Sequence, residues 1–121
     1  MQAKHIIQID DLSRNDIEEI FSLAEYYLRK NKDKVKQKHH LQTFTQINVF
    51  FENSTRTLAS FELAGKKLGG IVQDIRIATS SIQKGETLID TALTLNAMRP
   101  NLLVVRHSSS GAVNLLSEKV N

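Results

Sequence analysis

The sequence predicts an α/β domain with a parallel sheet and helices on both faces of that sheet. Three segments have the composition of strands, at residues 45–51, 71–77 and 101–107, and a segment with helical periodicity follows each of them. This alternation favours parallel strands joined by right-handed crossovers. The 121 residues are enough for one small domain.

The first predicted helix covers residues 11–31 and precedes the first strand. Ser13 is its predicted N-cap, and Asp16 follows three residues later, as in a capping box. Its apolar residues share one face at helical spacing: Ile17, Ile20, Phe21, Ala24, Tyr27 and Leu28.

The second predicted helix covers residues 56–70 and follows the first strand. Gly69 and Gly70 are expected to end it. Its predicted buried stripe contains Leu58, Phe61, Ala64, Gly65 and Leu68.

The last part of the chain predicts a helix at 86–98, a strand at 101–107 and a short helix at 111–120. Pro100 stands just beyond the first of these helices. The strand is almost continuously apolar, which is typical of a strand buried on both faces of a sheet.

Composition excludes several kinds of protein. There is no cysteine for a disulfide or a thiolate metal site. No apolar stretch approaches the roughly 18 residues that span a membrane, and the N-terminus lacks the features of a signal peptide, so we expect a cytoplasmic protein. The net charge is +3. Much of the excess lies in residues 29–40, which predict a solvated surface rather than a nucleic-acid site because no aromatics interleave with the lysines.

Ligands of parallel α/β sheets bind at the carboxyl ends of the strands. That rule selects residues 52–57, 79–84 and 106–111. In the first of these, Ser54, Thr55, Arg56 and Thr57 open a helix. Unpaired N–H groups at a helix N-terminus bind anions, and the arginine fork matches phosphate oxygens. An alternative fits equally well, in which a hydroxyl only caps the helix and Arg56 lies on the surface.

The other two strand ends also carry cations and hydroxyls. Ser80 and Lys84 lie in a polar loop, and Arg106 directly follows a buried strand, where it needs a partner if it is partly buried. Together the three ends predict a site for a small, multiply charged anion. The sequence has no dinucleotide motif, zinc spacing or acidic magnesium cluster, so no cofactor is predicted.

Four motifs resemble the aspartate and ornithine carbamoyltransferase family: "FFENSTRT", "SFELAGKKLGG", "QKGETLIDTALTL" and "VVRH". They occur in the family's order, and the resemblance covers essentially the whole chain. Glu52 and the "QKGET" loop resemble the aspartate branch more than the ornithine branch.

The resemblance implies transfer of a carbamoyl group from carbamoyl phosphate to L-aspartate, without a metal, in pyrimidine synthesis. The residues that would bind carbamoyl phosphate are Ser54, Thr55, Arg56, Thr57 and Arg106. It also implies a homotrimer, in which Ser80 and Lys84 act in the neighbouring subunit. Glu86 would hold Arg56 or Arg106, and Glu52 would face a second domain and lack a partner in this chain.

Two departures from the family pattern affect this interpretation. Leu58 replaces a second arginine of the motif, and its place on the apolar stripe predicts a packing role. The family's His-Pro-x-x-Gln motif and its aspartate-binding domain are absent from the 121 residues, which alone are expected to be inactive. A carbamoyltransferase of the ornithine type and a non-catalytic anion-binding or trimerisation module remain open, and so does an associated regulatory chain.

Overall fold

The structure is a computed structural model that describes residues 3–32, 41–77 and 87–121. The chain divides into two compact units, Met1–Gln37 and Lys38–Asn121.

The first unit contains a short 3-10 helix, Ile9–Asp11, and the long helix α1, Arg14–Lys32. Helix α1 begins with the predicted capping box. The Ser13 N–H donates to Asp16 Oδ2 at 2.9 Å, and the Asp16 N–H donates to Ser13 Oγ at 3.2 Å. Hydrogen bonds from the Ser13 hydroxyl and backbone hold the pKa of Asp16 below its ordinary value.

The second unit contains the predicted alternation of strands and helices. In chain order its elements are β1 (Thr45–Phe50), α2 (Thr55–Lys67), β2 (Ile71–Arg76), α3 (Leu88–Ala97), β3 (Leu102–Arg106) and α4 (Ala112–Lys119). The strands form one sheet in the order β2-β1-β3, and both pairs are parallel. The predicted fold class is confirmed, and β1 is the central strand.

The two faces of β1 differ in chemistry because successive side chains of a strand point to opposite faces. Ile47 and Val49 pack with Leu95 of α3 in the apolar core. Gln46 and Asn48 point to the other face, where Gln46 bonds helix α2. Helices α2 and α3 therefore lie on opposite faces of the sheet, as predicted.

Helix α2 ends at the two predicted glycines. The Gly69 N–H donates to the Lys66 carbonyl and the Gly70 N–H donates to the Gly65 carbonyl, both at 3.0 Å. Gly69 has a φ of 85°, a left-handed conformation that glycine adopts without steric cost. These features form a Schellman motif, which ends the helix and directs the chain into β2.

Two sequence predictions about burial are wrong. Leu58 and Gly65 are buried on α2, but Phe61 and Ala64 are exposed. At 100° per residue Ala64 lies about 120° from Leu58 around the helix axis, too far to face the sheet. Strand β3 is only half-buried, and Leu102 is 41% exposed, because β3 lies at an edge of the sheet that the described residues form.

Candidate functional site

The carboxyl ends of β1 and β3 lie side by side, with Phe50 opposite Arg106 in the register. This adjacency places the Arg106 guanidinium beside Glu52, and Arg106 Nε donates to Glu52 Oε1 at 2.8 Å. The expectation that Glu52 lacks a partner in this chain is therefore wrong. The two side chains are 44% and 36% exposed. A pair this exposed typically contributes below about 1 kcal/mol, so its main effect is to orient Arg106.

The N-terminus of helix α2 lies at the same end of the sheet, beside the carboxyl ends of the strands. Ser54 occupies the N-cap position, and its carbonyl accepts the first helical hydrogen bond, from the Leu58 N–H at 2.9 Å. The Ser54 hydroxyl does not cap the helix, because it donates to Thr57 Oγ1 at 2.9 Å. The structure thus disfavours the interpretation in which this serine hydroxyl serves only as a cap.

The first N–H groups of an α-helix have no partner within the helix. Within residues 3–32, 41–77 and 87–121, no carbonyl or side chain accepts from the N–H groups of Thr55, Arg56 or Thr57. The positive end of the helix dipole adds to their attraction for an anion. This turn therefore offers three aligned donors at the sheet edge.

Arg56 lies in the same turn and is exposed to solvent. It forms no ion pair with any residue of the described part of the chain. Arg106 has a carboxylate partner and Arg56 has none among these residues. The charge of Arg56 is therefore the less neutralised of the two.

Leu58 has the packing role that its position predicts. It is 3% exposed and is the buried apolar side chain of α2 among the described residues. An arginine at this position would have to turn away from the core, since a buried unpaired charge is costly. The positive charge of this site therefore comes from Arg56 and Arg106 among the described residues.

Three predicted site residues, Ser80, Lys84 and Glu86, lie outside the described residues. Their approach to the site stays a prediction. The support that Glu86 was expected to give to Arg106 comes, in the described residues, from Glu52.

Two features of the site were not predicted from the sequence. His107 packs against Phe51 with ring centroids 4.6 Å apart, and its Nδ1 accepts from the Ser109 N–H at 2.9 Å. An acceptor Nδ1 in a neutral imidazole leaves the proton on Nε2.

The second feature is a polar network under α2, formed by Gln46, Asn48 and Asp74. Its only sequence signal is two amides at alternate positions of a strand.

The described residues contain no cluster of acids, histidines or cysteines that could hold a metal ion. No helix among them is long and apolar enough to cross a membrane.

Comparison with known families gives a match over nearly the whole chain. Residues 4–121 match the family model described as aspartate/ornithine carbamoyltransferase, carbamoyl-P binding domain. Two similar curated proteins are both named aspartate carbamoyltransferase catalytic subunit. The protein of Cereibacter sphaeroides is 56% identical over 120 residues, or 99% of this chain, and that of Ruegeria pomeroyi is 59% identical over 118 residues, or 98%. In each case the match spans 38% of the relative's length.

Solved structures agree with this result. The aspartate transcarbamoylase of Trypanosoma cruzi in complex with carbamoyl aspartate and phosphate superposes with a TM-score of 0.85 and 36% identity, covering 97% of this chain and 36% of that one. The catalytic subunit of the M. jannaschii enzyme superposes with a TM-score of 0.83 and 38% identity, covering 98% and 39%. By its sequence and its fold, the chain belongs to the aspartate and ornithine carbamoyltransferase family.

Proposed function

We propose that this chain is part of an aspartate carbamoyltransferase. The reaction transfers the carbamoyl group of carbamoyl phosphate to the α-amine of L-aspartate, and it gives N-carbamoyl-L-aspartate and phosphate. The names of the curated relatives support aspartate as the acceptor rather than ornithine. The chain spans 38% of the length of those relatives. The proposal therefore also includes catalytic residues that lie outside these 121 residues.

One observation carries the proposal: the uncapped N-terminus of α2 and the Arg106 guanidinium lie at the same edge of one sheet. The N–H groups of the first turn and the Arg56 side chain suit the phosphate oxygens of carbamoyl phosphate. Backbone N–H groups at a helix N-terminus point toward a bound anion, and a guanidinium donates to two phosphate oxygens at once. Ser54 and Thr57 supply hydroxyls beside them. No metal or covalent intermediate is required.

The chemistry follows from that arrangement. The aspartate amine attacks the carbamoyl carbon, the bond from that carbon to the phosphate oxygen breaks, and the proton lost by the amine passes to the leaving phosphate. Negative charge grows on the carbamoyl oxygen and on the leaving phosphate. Donors that are already oriented stabilise this charge without reorganisation, and removal of one typically costs about 3 kcal/mol in the transition state. We assign Arg56, the α2 N–H groups and Arg106 to this role.

The assembly is part of the same proposal. A homotrimer would bring Ser80 and Lys84 of one subunit into the site of its neighbour, with Glu86 orienting an arginine there. The proposed location is the cytoplasm. Support for these points comes from the sequence resemblance and from the family membership of the chain.

Phosphate binding tests the site assignment directly. Titration of inorganic phosphate and of carbamoyl phosphate into ¹⁵N-labelled protein should shift the amide signals of Thr55, Arg56 and Thr57. The Arg56→Gln variant should bind at least about tenfold more weakly, since charge-assisted hydrogen bonds contribute roughly 1.5–3 kcal/mol each.

Arg99→Gln provides the matched control. Arg99 is also exposed, but it precedes β3 and therefore lies near the amino ends of the parallel strands, away from the candidate site. The control loses the same charge and should bind phosphate almost normally. Equal affinity in the two variants, or no shift at the α2 amides, would refute the proposed site.

A further inference from the structure

Two amide side chains are buried on the central strand, on the face that meets α2. Gln46 is 4% exposed and Asn48 is 0% exposed. Burial of an amide is costly unless it is hydrogen bonded, and apolar residues are the usual choice for such positions. Both amides have partners in the structure, so this face of β1 carries directed bonds rather than apolar contacts alone.

The bonds of these amides connect three elements. Gln46 Nε2 donates to the Phe61 backbone carbonyl of α2 at 3.0 Å and to Asn48 Oδ1 at 2.9 Å. Asn48 Nδ2 donates in turn to Asp74 Oδ1 of β2 at 2.8 Å. Since apolar contacts are not directional, helix α2 could slide along the sheet without such a bond. The bond from Gln46 opposes sliding along the helix axis.

The contact between α2 and the sheet is also unusually close at Gly65. A Cβ atom added to Gly65 would lie 2.5 Å from Gln46 Oε1 and 2.7 Å from Val72 Cγ2. Both distances are too short for any other residue to fit without displacement. Gly65 therefore lets the helix approach closely enough for its Phe61 carbonyl to reach Gln46.

The same helix carries the anion-binding turn. Thr55 lies six residues before Phe61, which is about 9 Å along a helix that rises about 1.5 Å per residue. A helix this short moves nearly as a rigid rod. A shift at Phe61 would thus be transmitted to the N–H groups of Thr55, Arg56 and Thr57.

We propose that Gln46, supported by Asn48 and made possible by Gly65, is a positioning residue for the phosphate-binding turn. It fixes the position of the α2 N-terminus along the helix axis relative to Arg106 at the end of β3. This inference rests on the proposed function, because it presumes that an anion binds at that turn.

Gln46→Met tests the inference in the full chain. Methionine keeps the length of the side chain but removes the donor to Phe61. We expect inorganic phosphate and carbamoyl phosphate to bind about tenfold more weakly, with shifted amide signals at Thr55–Thr57 before any ligand is added. Gln73→Met is the matched control, because Gln73 is exposed on the neighbouring strand and its side chain bonds, within the part of the chain that the structure describes, only the Asp74 carbonyl.

The affinity separates positioning from stability. Loss of stability alone leaves the affinity of folded molecules unchanged, so binding is compared at temperatures where the amide spectra show both variants folded. Should Gln46→Met fail to fold, Gly65→Ala replaces it, with the exposed Ala64→Ser as control, and the same weakening is expected. If the parent protein binds phosphate at Thr55–Thr57 and the variant binds like its control, the positioning role is wrong. If the parent protein does not bind there, the proposed function fails instead.

Discussion

Replacement of Leu58 by alanine should destabilise the second unit strongly, although the residue adjoins the candidate site. Leu58 is 3% exposed, so nearly the whole side chain is removed from water on folding. Loss of three carbon groups at about 0.8 kcal/mol each gives roughly 2.4 kcal/mol, and the cavity left behind raises the total to about 3 kcal/mol. At about 4 °C per kcal/mol for a chain of this size, the Tm should fall by roughly 12 °C.

Leu63→Ala is the matched control, since Leu63 lies on the same helix and is 54% exposed. Its expected loss is about 1 kcal/mol or less, because about half of its surface stays in water in the folded state. The chain has two compact units and need not unfold in one step, so the assay should follow the second unit specifically. Urea titration monitored at the amide of Val49, in the central strand, does this. Equal losses for the two variants would refute the inferred packing of Leu58.

Two further predictions concern charge and assembly. The pKa of Asp74 is raised above its ordinary value of 3.8, mainly by burial of the carboxyl and also by the neighbouring Glu62 carboxyl. The folded state therefore binds the proton of Asp74 more tightly than the unfolded state does. The protonated Asp74 thus adds to the free energy of unfolding below about pH 3.8, and this contribution is lost as the pH rises through the raised pKa. Asp74→Asn should remove this loss, so that the variant gains stability relative to the parent as the pH rises, measured by urea titrations at several pH values; a constant difference would contradict it. In the full-length enzyme, mixing inactive Lys84→Ala and Arg56→Ala subunits should restore part of the activity if Lys84 acts in its neighbour's site, whereas mixtures as inactive as the separate variants would refute that placement.

Local patterns predicted the helices and strands well because they depend on nearby residues. Ser13 with Asp16 and the pair Gly69–Gly70 were correctly predicted as helix ends, since each satisfies backbone groups within a few residues. Burial was predicted less well. Phe61 is apolar and was predicted to belong to the buried stripe, yet it is exposed, because which 100° sector of a helix meets the sheet depends on the strands beneath it.

The pairing of Arg106 with Glu52 illustrates what an isolated sequence withholds. The two residues are 54 positions apart, and their contact requires β3 to lie next to β1 rather than next to β2. The alternation of strands and helices predicts a parallel sheet but leaves the order of its strands open. Residues at the carboxyl ends of strands could therefore be predicted as site residues, whereas the partner of each could not.

The two faces of β1 explain why the core was easier to predict than the support of the site. Ile47 and Val49 indicate a buried strand by their composition alone, and they are buried. Gln46 and Asn48 alternate with them, a pattern that ordinarily indicates a solvated face, yet they are equally buried. Amides at such positions persist only if their bonds replace those lost to water. In this chain Asn48 bonds Asp74 of β2, and Gln46 bonds the helix that presents Arg56. The strand thus stabilises the fold through one face and orients the candidate site through the other.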